Sequence, residues 1–197
     1  MKDLGISGLA GNALLSHARL AIEYFLETKN TLPLDKFPYP QQVSAELERK
    51  GGLFVLLETI RSGKKSYIRG ENGVFEAVEA IGKLLPQLAV NAAFYDPRTP
   101  RLKNFELNEV IIHIYLPFER ENLGISWNPQ LNGVQVETNG RMAYVLPELF
   151  QQGQTVTKEH LLRRLRLQLG VTKKKSETLA LEYYQFSGQH FRESSFL

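Results

Sequence analysis

The chain contains no cysteine among its 197 residues. This absence excludes disulfide bonds, thiolate metal sites and a cysteine nucleophile. The sequence also lacks any apolar run of about 20 residues, the length that a helix needs to cross a bilayer. Residues 1–5 do not show the charged and then apolar pattern of a secretory signal. We therefore expect a cytoplasmic protein without membrane association.

The remaining composition is that of a soluble globular protein, with 43% hydrophobic and 23% charged residues. The net charge of +3 is small, and nucleic-acid binding depends on clustered cations rather than on a slight surplus. The length suits one domain spanning residues 1–197, with a division into two lobes as an alternative. The proline-rich loop 31–40 is the candidate boundary between such lobes, and residues 1–12 are expected to form a flexible leader.

Hydrophobic periodicity predicts an α+β fold, with a mostly antiparallel sheet and helices packed on one face. A helix that contains Pro86 should be kinked or split there, because proline lacks the backbone donor. Asn139-Gly140 stands between two alternating runs and predicts a hairpin. The apolar patterns give helices near 14–29, 41–50, 74–94 and 157–169, and strands near 53–60, 66–69, 109–117, 133–138, 141–145 and 179–186.

Two short polar segments carry the candidate chemistry. The first is Arg69-Gly70-Glu71-Asn72-Gly73, which we interpret as a glycine-rich turn at the start of a helix. The second is Asp96-Pro97-Arg98, where that helix would end. This layout predicts that both segments line one concave site.

Each candidate residue has a role that its chemistry suggests. Arg69 would hold a carboxylate or phosphate through two parallel hydrogen bonds. The backbone amides at Asn72 and Gly73 would add donors for an anion. Glu71 would act as a general base or occupy the anion position itself. The alternative is an internal ion-pair network that only stabilises the turn.

The order of these segments resembles the AMMECR domain family, also called protein A of the AmmeMemoRadiSam system. That family carries Arg-Gly-Cys-Ile-Gly and, further on, Asp-Pro-Arg-Phe. In this chain Glu71 stands in place of the cysteine, and Asn132 in place of a histidine that often precedes the hairpin glycine. The resemblance implies an AMMECR-type α+β fold and, as partners, Memo-like and radical-SAM proteins.

Three functions remain open from the sequence. The first is an accessory module that binds a small anion or a protein partner, with Arg69, Gly70, Asn72, Gly73, Asp96 and Arg98 as ligand-binding residues and Asn132 as a neutral hydrogen-bonding wall. The second is an enzyme in which Glu71 performs acid–base work. The third is RNA association through the basic segment 158–175, although its arginines spread across a helix face in the manner of a solvated surface.

The four histidines show no metal-binding spacing, so neither a metal site nor a cofactor is expected. His113 lies between apolar neighbours in a predicted central strand. We interpret it as a hydrogen-bonded core histidine rather than a ligand.

Overall fold

In a computed structural model, the chain forms helices and two antiparallel sheets, which confirms the predicted α+β class. The structure describes residues 5–60, 67–76, 79–124, 127–147, 157–171 and 180–194. The helices are α1 (Gly8–Thr28), α2 (Gln41–Leu47), α3 (Ile81–Phe94), a 3-10 helix (Asn104–Glu109) and α4 (Lys158–Gln168). The strands are β1 (Leu53–Thr59), β2 (Tyr67–Val74), β3 (Val110–Pro117), β4 (Glu121–Asn122), β5 (Gly133–Thr138), β6 (Arg141–Val145), β7 (Glu182–Phe186) and β8 (Gly188–Arg192).

The chain divides into two compact units, the first Met1–Pro117 with Gln189–Leu197, and the second Phe118–Gly188. The proline-rich loop 31–40 therefore lies inside the first unit and does not mark a boundary. One of its two leucines, Leu32, is buried in the core of that unit, which explains why the loop belongs there.

The first unit contains the sheet β2-β1-β3-β8, with strand β1 antiparallel to both β2 and β3. Because strand residues alternate between faces, Val55 and its partner Ile114 point to the same side. That side packs against buried residues of α1 and α3, including Leu14 and Leu85. The opposite side carries polar groups among its apolar residues, and it holds the candidate site.

Helix α1 begins earlier than the sequence analysis expected. Ser7 is its N-cap, with the hydroxyl accepting a hydrogen bond from the amide of Ala10, and the Glu46 carboxylate accepts from Ser7 in turn. Ile6 and Ala10 are buried in the core. The prediction of a flexible leader over residues 1–12 is therefore wrong from Ile6 onward, because apolar contacts and the helix cap hold these residues in place. Residues 1–4 lie outside the described ranges.

Strand β2 differs from the predicted turn. Gly70, Asn72 and Gly73 all lie within the strand, paired with Leu57, Val55 and Phe54 of β1, and a register shift follows Leu57. Helix α3 begins only at Ile81. The two glycines are needed for close packing, since a Cβ at Gly70 would lie 2.0 Å from the Ala92 carbonyl oxygen of α3 and one at Gly73 would meet the Phe54 ring.

Helix α3 continues through Pro86, so the helix is not split there, one of the two outcomes that the sequence analysis expected. Proline leaves the carbonyl four residues earlier, that of Gly82, without its usual helical donor. The Tyr39 hydroxyl donates a hydrogen bond to this carbonyl at 2.9 Å. A side chain from the preceding loop therefore replaces the missing backbone bond, and burial raises the pKa of Tyr39.

The second unit contains the sheet β4-β7-β5-β6, and the predicted Asn139-Gly140 hairpin joins β5 to β6. Both turn residues have positive φ, at 47° and 72°. Helix α4 starts at the predicted cap, Thr157, and packs Leu161 and Leu165 against the sheet. Strand β8 was not predicted, and the chain forms two sheets rather than one.

Gly70→Ala should destabilise the protein by about 1–3 kcal/mol, the usual cost of forcing extra atoms into a packed interior. The new methyl group would press on the Ala92 carbonyl of α3. Urea unfolding at neutral pH measures the change. Gly8→Ala is the matched control, because a Cβ there has no neighbour within 4 Å. Equal stability of Gly70→Ala and the wild type would contradict the close approach of β2 and α3.

Candidate functional site

Arg69 is buried at the β-bulge of β2, with only 5% of its surface exposed. Its Nε and Nη2 donate to the two carboxylate oxygens of Glu106 at 2.9 Å each. Nη1 donates to the carbonyl of Pro100 at 2.7 Å, and Nη2 also donates to that of Arg101 at 3.2 Å. These contacts attach the segment after α3 to the sheet, so a ligand could reach this guanidinium only by displacing protein acceptors.

The predicted cradle of helix-start amides is not formed, because Asn72 and Gly73 lie in a strand that ends seven residues before α3. Their backbone is part of the ladder with β1. The Asn72 side chain instead accepts a long hydrogen bond, 3.4 Å, from the side-chain amide Nδ2 of Asn91 in α3. This part of the site prediction is therefore wrong, since the glycine-rich segment continues as a strand and does not turn.

Glu71, Asp96 and Arg98 do come together, as the sequence predicted for these two segments. The Asp96 carboxylate accepts hydrogen bonds from the Glu71 amide at 2.9 Å, and from the Arg98 amide, Nε and Nη2 at 2.9, 2.9 and 2.8 Å. The Glu71 carboxylate lies 3.4 Å from Arg98 Nη2. The two acidic side chains are 2% and 1% exposed, whereas Arg98 is 51% exposed. A half-exposed guanidinium thus covers two buried carboxylates.

Asp96 is held in its ionised form. Burial by itself raises the pKa of this carboxyl, but the hydrogen bonds and charge of Arg98, together with the Glu71 amide, outweigh burial and lower the pKa below its usual value. Glu106 behaves alike: the hydrogen bond from Arg69 lowers its pKa against the opposing effect of burial. Both carboxylates therefore stabilise the fold as anions.

The other predicted residues lie in the second unit. Asn132 follows a turn before β5, and its side chain accepts a weak hydrogen bond, 3.4 Å, from the Asn128 amide. Of the basic segment 158–175, residues 158–171 are described. Arg163 and Arg164 are exposed there, and Arg166 donates to the Leu162 carbonyl of its own helix. Lys173, Lys174 and Lys175 lie outside the described residues.

Sequence reasoning missed the partners that complete these contacts. Glu106 was overlooked. The available signal was a glutamate at the third position of a short helix, which is typical of a capping interaction. The Glu106 carboxylate accepts a hydrogen bond from the Lys103 backbone amide at 2.9 Å. Glu58 was also missed; a carboxylate inside an otherwise apolar strand was the available signal. His113, predicted as a hydrogen-bonded histidine, donates to or accepts from Glu58 and His190 at 3.0 Å each.

No group of three or more histidine, aspartate or glutamate side chains within the described ranges is arranged to hold a metal ion. None of the helices in the described part of the chain is long and apolar enough to cross a bilayer.

Comparison with known proteins agrees with the two-sheet α+β architecture. The AMMECR1 family model matches residues 15–191. The crystal structure of an uncharacterized protein from Pyrococcus horikoshii superposes with a TM-score of 0.81 at 21% identity, covering 96% of this chain and 94% of the other. At that identity the likeness shows the fold alone.

Sequence relatives come from archaea. A Sulfolobus acidocaldarius protein is 33% identical over 125 residues, which is 64% of this chain and 51% of that protein. A Methanothermobacter thermautotrophicus protein is 32% identical over 114 residues, 58% of this chain and 54% of the relative. The matches thus span about half the length of these relatives. Because the family model covers most of the chain, the protein belongs to the AMMECR1 family.

Arg69→Lys should destabilise the protein by about 2–3 kcal/mol, because lysine keeps the charge but loses the two-pronged bond to Glu106 and the two carbonyl contacts. Urea unfolding provides the measurement. Arg101→Lys, in the exposed part of the same segment, is the control and should change stability by less than about 0.5 kcal/mol. Similar effects of both substitutions would refute a special role for the buried arginine.

Stability should also fall in acid. The pKa values of Asp96 and Glu106 are lowered by folding, so the unfolded chain binds more protons in the acidic range. Their stabilisation is present above the unfolded pKa values and is lost as pH drops through the lowered ones. Urea unfolding between about pH 5 and about pH 3 should show this loss. Asp96→Asn should be less stable at neutral pH and show a shallower acid dependence; an unchanged slope would contradict the assignment.

Proposed function

We propose that this AMMECR1-family protein is an accessory binding module that takes a small anion at Arg98. The observation that carries the proposal is the half-exposed guanidinium held by a buried carboxylate. Asp96 contacts Arg98 through its amide, Nε and Nη2, which fixes the direction of the side chain. A pre-oriented guanidinium at a surface is suited to a carboxylate or phosphate, because little side-chain entropy is lost on binding.

The anchor in this proposal is Arg98 rather than Arg69, which the sequence alone favoured. All of the Arg69 contacts described above go to Glu106 and to two carbonyls. Its role in binding is indirect: it positions the segment that carries Arg98. Gly70 contributes in the same way, since its close approach to Ala92 sets the distance between β2 and the end of α3.

Glu71 acts as an internal competitor of the anion. If Glu71 and Asp96 are both ionised, two negative charges face one guanidinium, and a further anion would be repelled. Glu71 is the weaker of the two partners, at 3.4 Å against 2.8 Å for Asp96. Anion binding is therefore expected to strengthen when the carboxylate of Glu71 is replaced by a neutral group of the same size, as in Glu71→Gln.

An enzymatic role is the second candidate, and the inequality of the two carboxyls favours it. Four donors hold Asp96 as an anion, whereas the buried Glu71 carboxylate lies farther from Arg98 Nη2, at 3.4 Å. A pair of carboxyls in unlike environments is suited to acid–base work. Glu71 would then carry the proton, in the position that the family gives to cysteine.

Two further proposals concern binding partners. The family resemblance suggests Memo-like and radical-SAM proteins as partners, and co-purification with a Memo-like protein encoded nearby would test it. RNA association through the basic segment 158–175 would show as binding that weakens with salt and is lost on charge reversal at Arg163 and Arg166.

The anion proposal predicts a specific order of thermal shifts with sulfate, an anion that does not titrate near neutral pH. Glu71→Gln should gain more stability from sulfate than the wild type. Its Tm should rise by about 2–4 °C for each kcal/mol that sulfate binding adds to the free energy of unfolding. Arg98→Ala should show only the general stabilisation that sulfate gives to proteins.

Arg101→Ala, which removes an exposed cation of the same segment, is the matched control and should respond like the wild type. A sulfate response of Arg98→Ala equal to that of Glu71→Gln would eliminate the anchor role of Arg98.

A further inference from the structure

A strip of exposed side chains runs along the segment that follows α3, from residue 95 to residue 105. In the described part of the chain only three phenylalanine, tyrosine or tryptophan side chains are exposed, and two of them lie in this strip: Tyr95 at 53% and Phe105 at 69%. Between them Arg98, Arg101 and Lys103 are exposed as well. The strip thus places three cations between two aromatic rings.

The strip is positively charged towards the solvent. Asp96 is the one acidic residue among residues 95–105, and its side chain is 1% exposed beneath Arg98. The next carboxylate along the chain, Glu106, is neutralised by the buried Arg69. A surface of cations without an exposed carboxylate between them is suited to a polyanion.

Each of the two aromatic rings has a cation beside it. The guanidinium carbon of Arg101 lies 5.7 Å from the centre of the Tyr95 ring, and Lys103 Nζ lies 5.8 Å from that of Phe105. An edge contact with Phe25, at 6.1 Å between ring centres, fixes the direction of the Tyr95 ring. A ring paired with a cation matches the two parts of a nucleotide, because a base stacks on an aromatic ring and a phosphate binds a cation.

The backbone of the strip is held in place before any ligand arrives. Arg69 donates to the carbonyls of Pro100 and Arg101. The Leu102 amide donates to the Ala93 carbonyl of α3 at 2.8 Å, and the Leu102 side chain is buried in the core. Since the exposed side chains project from a fixed backbone, little conformational entropy is lost when they bind.

We propose that this strip binds single-stranded oligonucleotides. One base stacks on Phe105, and another stacks on Tyr95 together with the planar guanidinium of Arg101. Lys103 and Arg98 hold phosphates; the Arg98 contact rests on the function proposed above, whereas the stacking does not. The ligand is a single strand because the bases of a duplex stay stacked on each other and cannot reach the rings.

Fluorescence anisotropy with a labelled oligouridine of about 12 nucleotides, within the usual range for one binding module, tests the proposal. Phe105→Ser should weaken binding at least about fivefold, because one base loses its stacking partner. Arg101→Ala should also weaken binding while leaving the thermal shift by sulfate unchanged. Leu9→Ser, which removes an exposed apolar side chain of α1, is the matched control and should bind like the wild type.

Salt dependence measures the phosphate contacts. Lys103→Ala should reduce the slope of log affinity against log salt concentration by about 0.7, the value for one phosphate contact on a single strand. Lys83→Ala removes an exposed cation of α3 and should leave the slope unchanged. Oligothymidine of the same length lacks the 2′-hydroxyl, so the tighter of the two strands shows whether RNA or DNA is the preferred ligand.

Polyglutamate is the polyanion without bases, and it should compete poorly for the strip. Equal competition by polyglutamate, absence of oligouridine binding by the wild type at low salt, or equal affinities of Phe105→Ser and Leu9→Ser would overturn the oligonucleotide proposal. These results would not affect the anion site if Arg98→Ala still lost the sulfate response. Conversely, an Arg98→Ala variant with an unchanged sulfate response and salt slope would refute the anion function, and a weakened Phe105→Ser would still support the strip.

Discussion

The two-pronged bond between Arg69 and Glu106 is the contact on which the rest of the first unit's polar face depends. Arg69 belongs to β2, and its acceptors all belong to the segment that follows α3. A buried guanidinium must have its donors satisfied, and this one is satisfied only when that segment lies against the sheet edge. Arg98 belongs to this segment. It therefore lies over Glu71 and Asp96 because the bond between Arg69 and Glu106 attaches the segment to the sheet.

Close packing explains why two glycines, Gly70 and Gly73, occur within strand β2. Gly70 faces α3 so closely that any side chain would meet the Ala92 carbonyl, and Gly73 lies against the Phe54 ring. The neighbouring Glu71 points to the opposite face. Along β2, Gly70 thus packs closely against α3, whereas the carboxylate of Glu71 lies on the opposite face beside Arg98.

Much of the fold was predictable because its signals are local. Asn139-Gly140 requires positive φ at both positions, and Thr157 supplies a cap that needs no distant partner. The layout of the two polar segments also predicted that the regions around Glu71 and Asp96 meet. What could not be predicted was long-range. Gly70, which the local pattern placed in a turn, is a strand residue against α3, and Arg69 has a partner 37 residues away. The pairing of Glu58, His113 and His190 likewise joins three strands, and no spacing along the chain indicates it.

The bond between Tyr39 and the Gly82 carbonyl has an evolutionary consequence. Tyr39 is useful there because Pro86 cannot supply the helical donor. Any other residue at position 86 would donate its own backbone N–H to the Gly82 carbonyl. The buried Tyr39 hydroxyl would then compete with that N–H for the same acceptor. Across related sequences, proline at this helix position and tyrosine in the loop should consequently be retained or lost together.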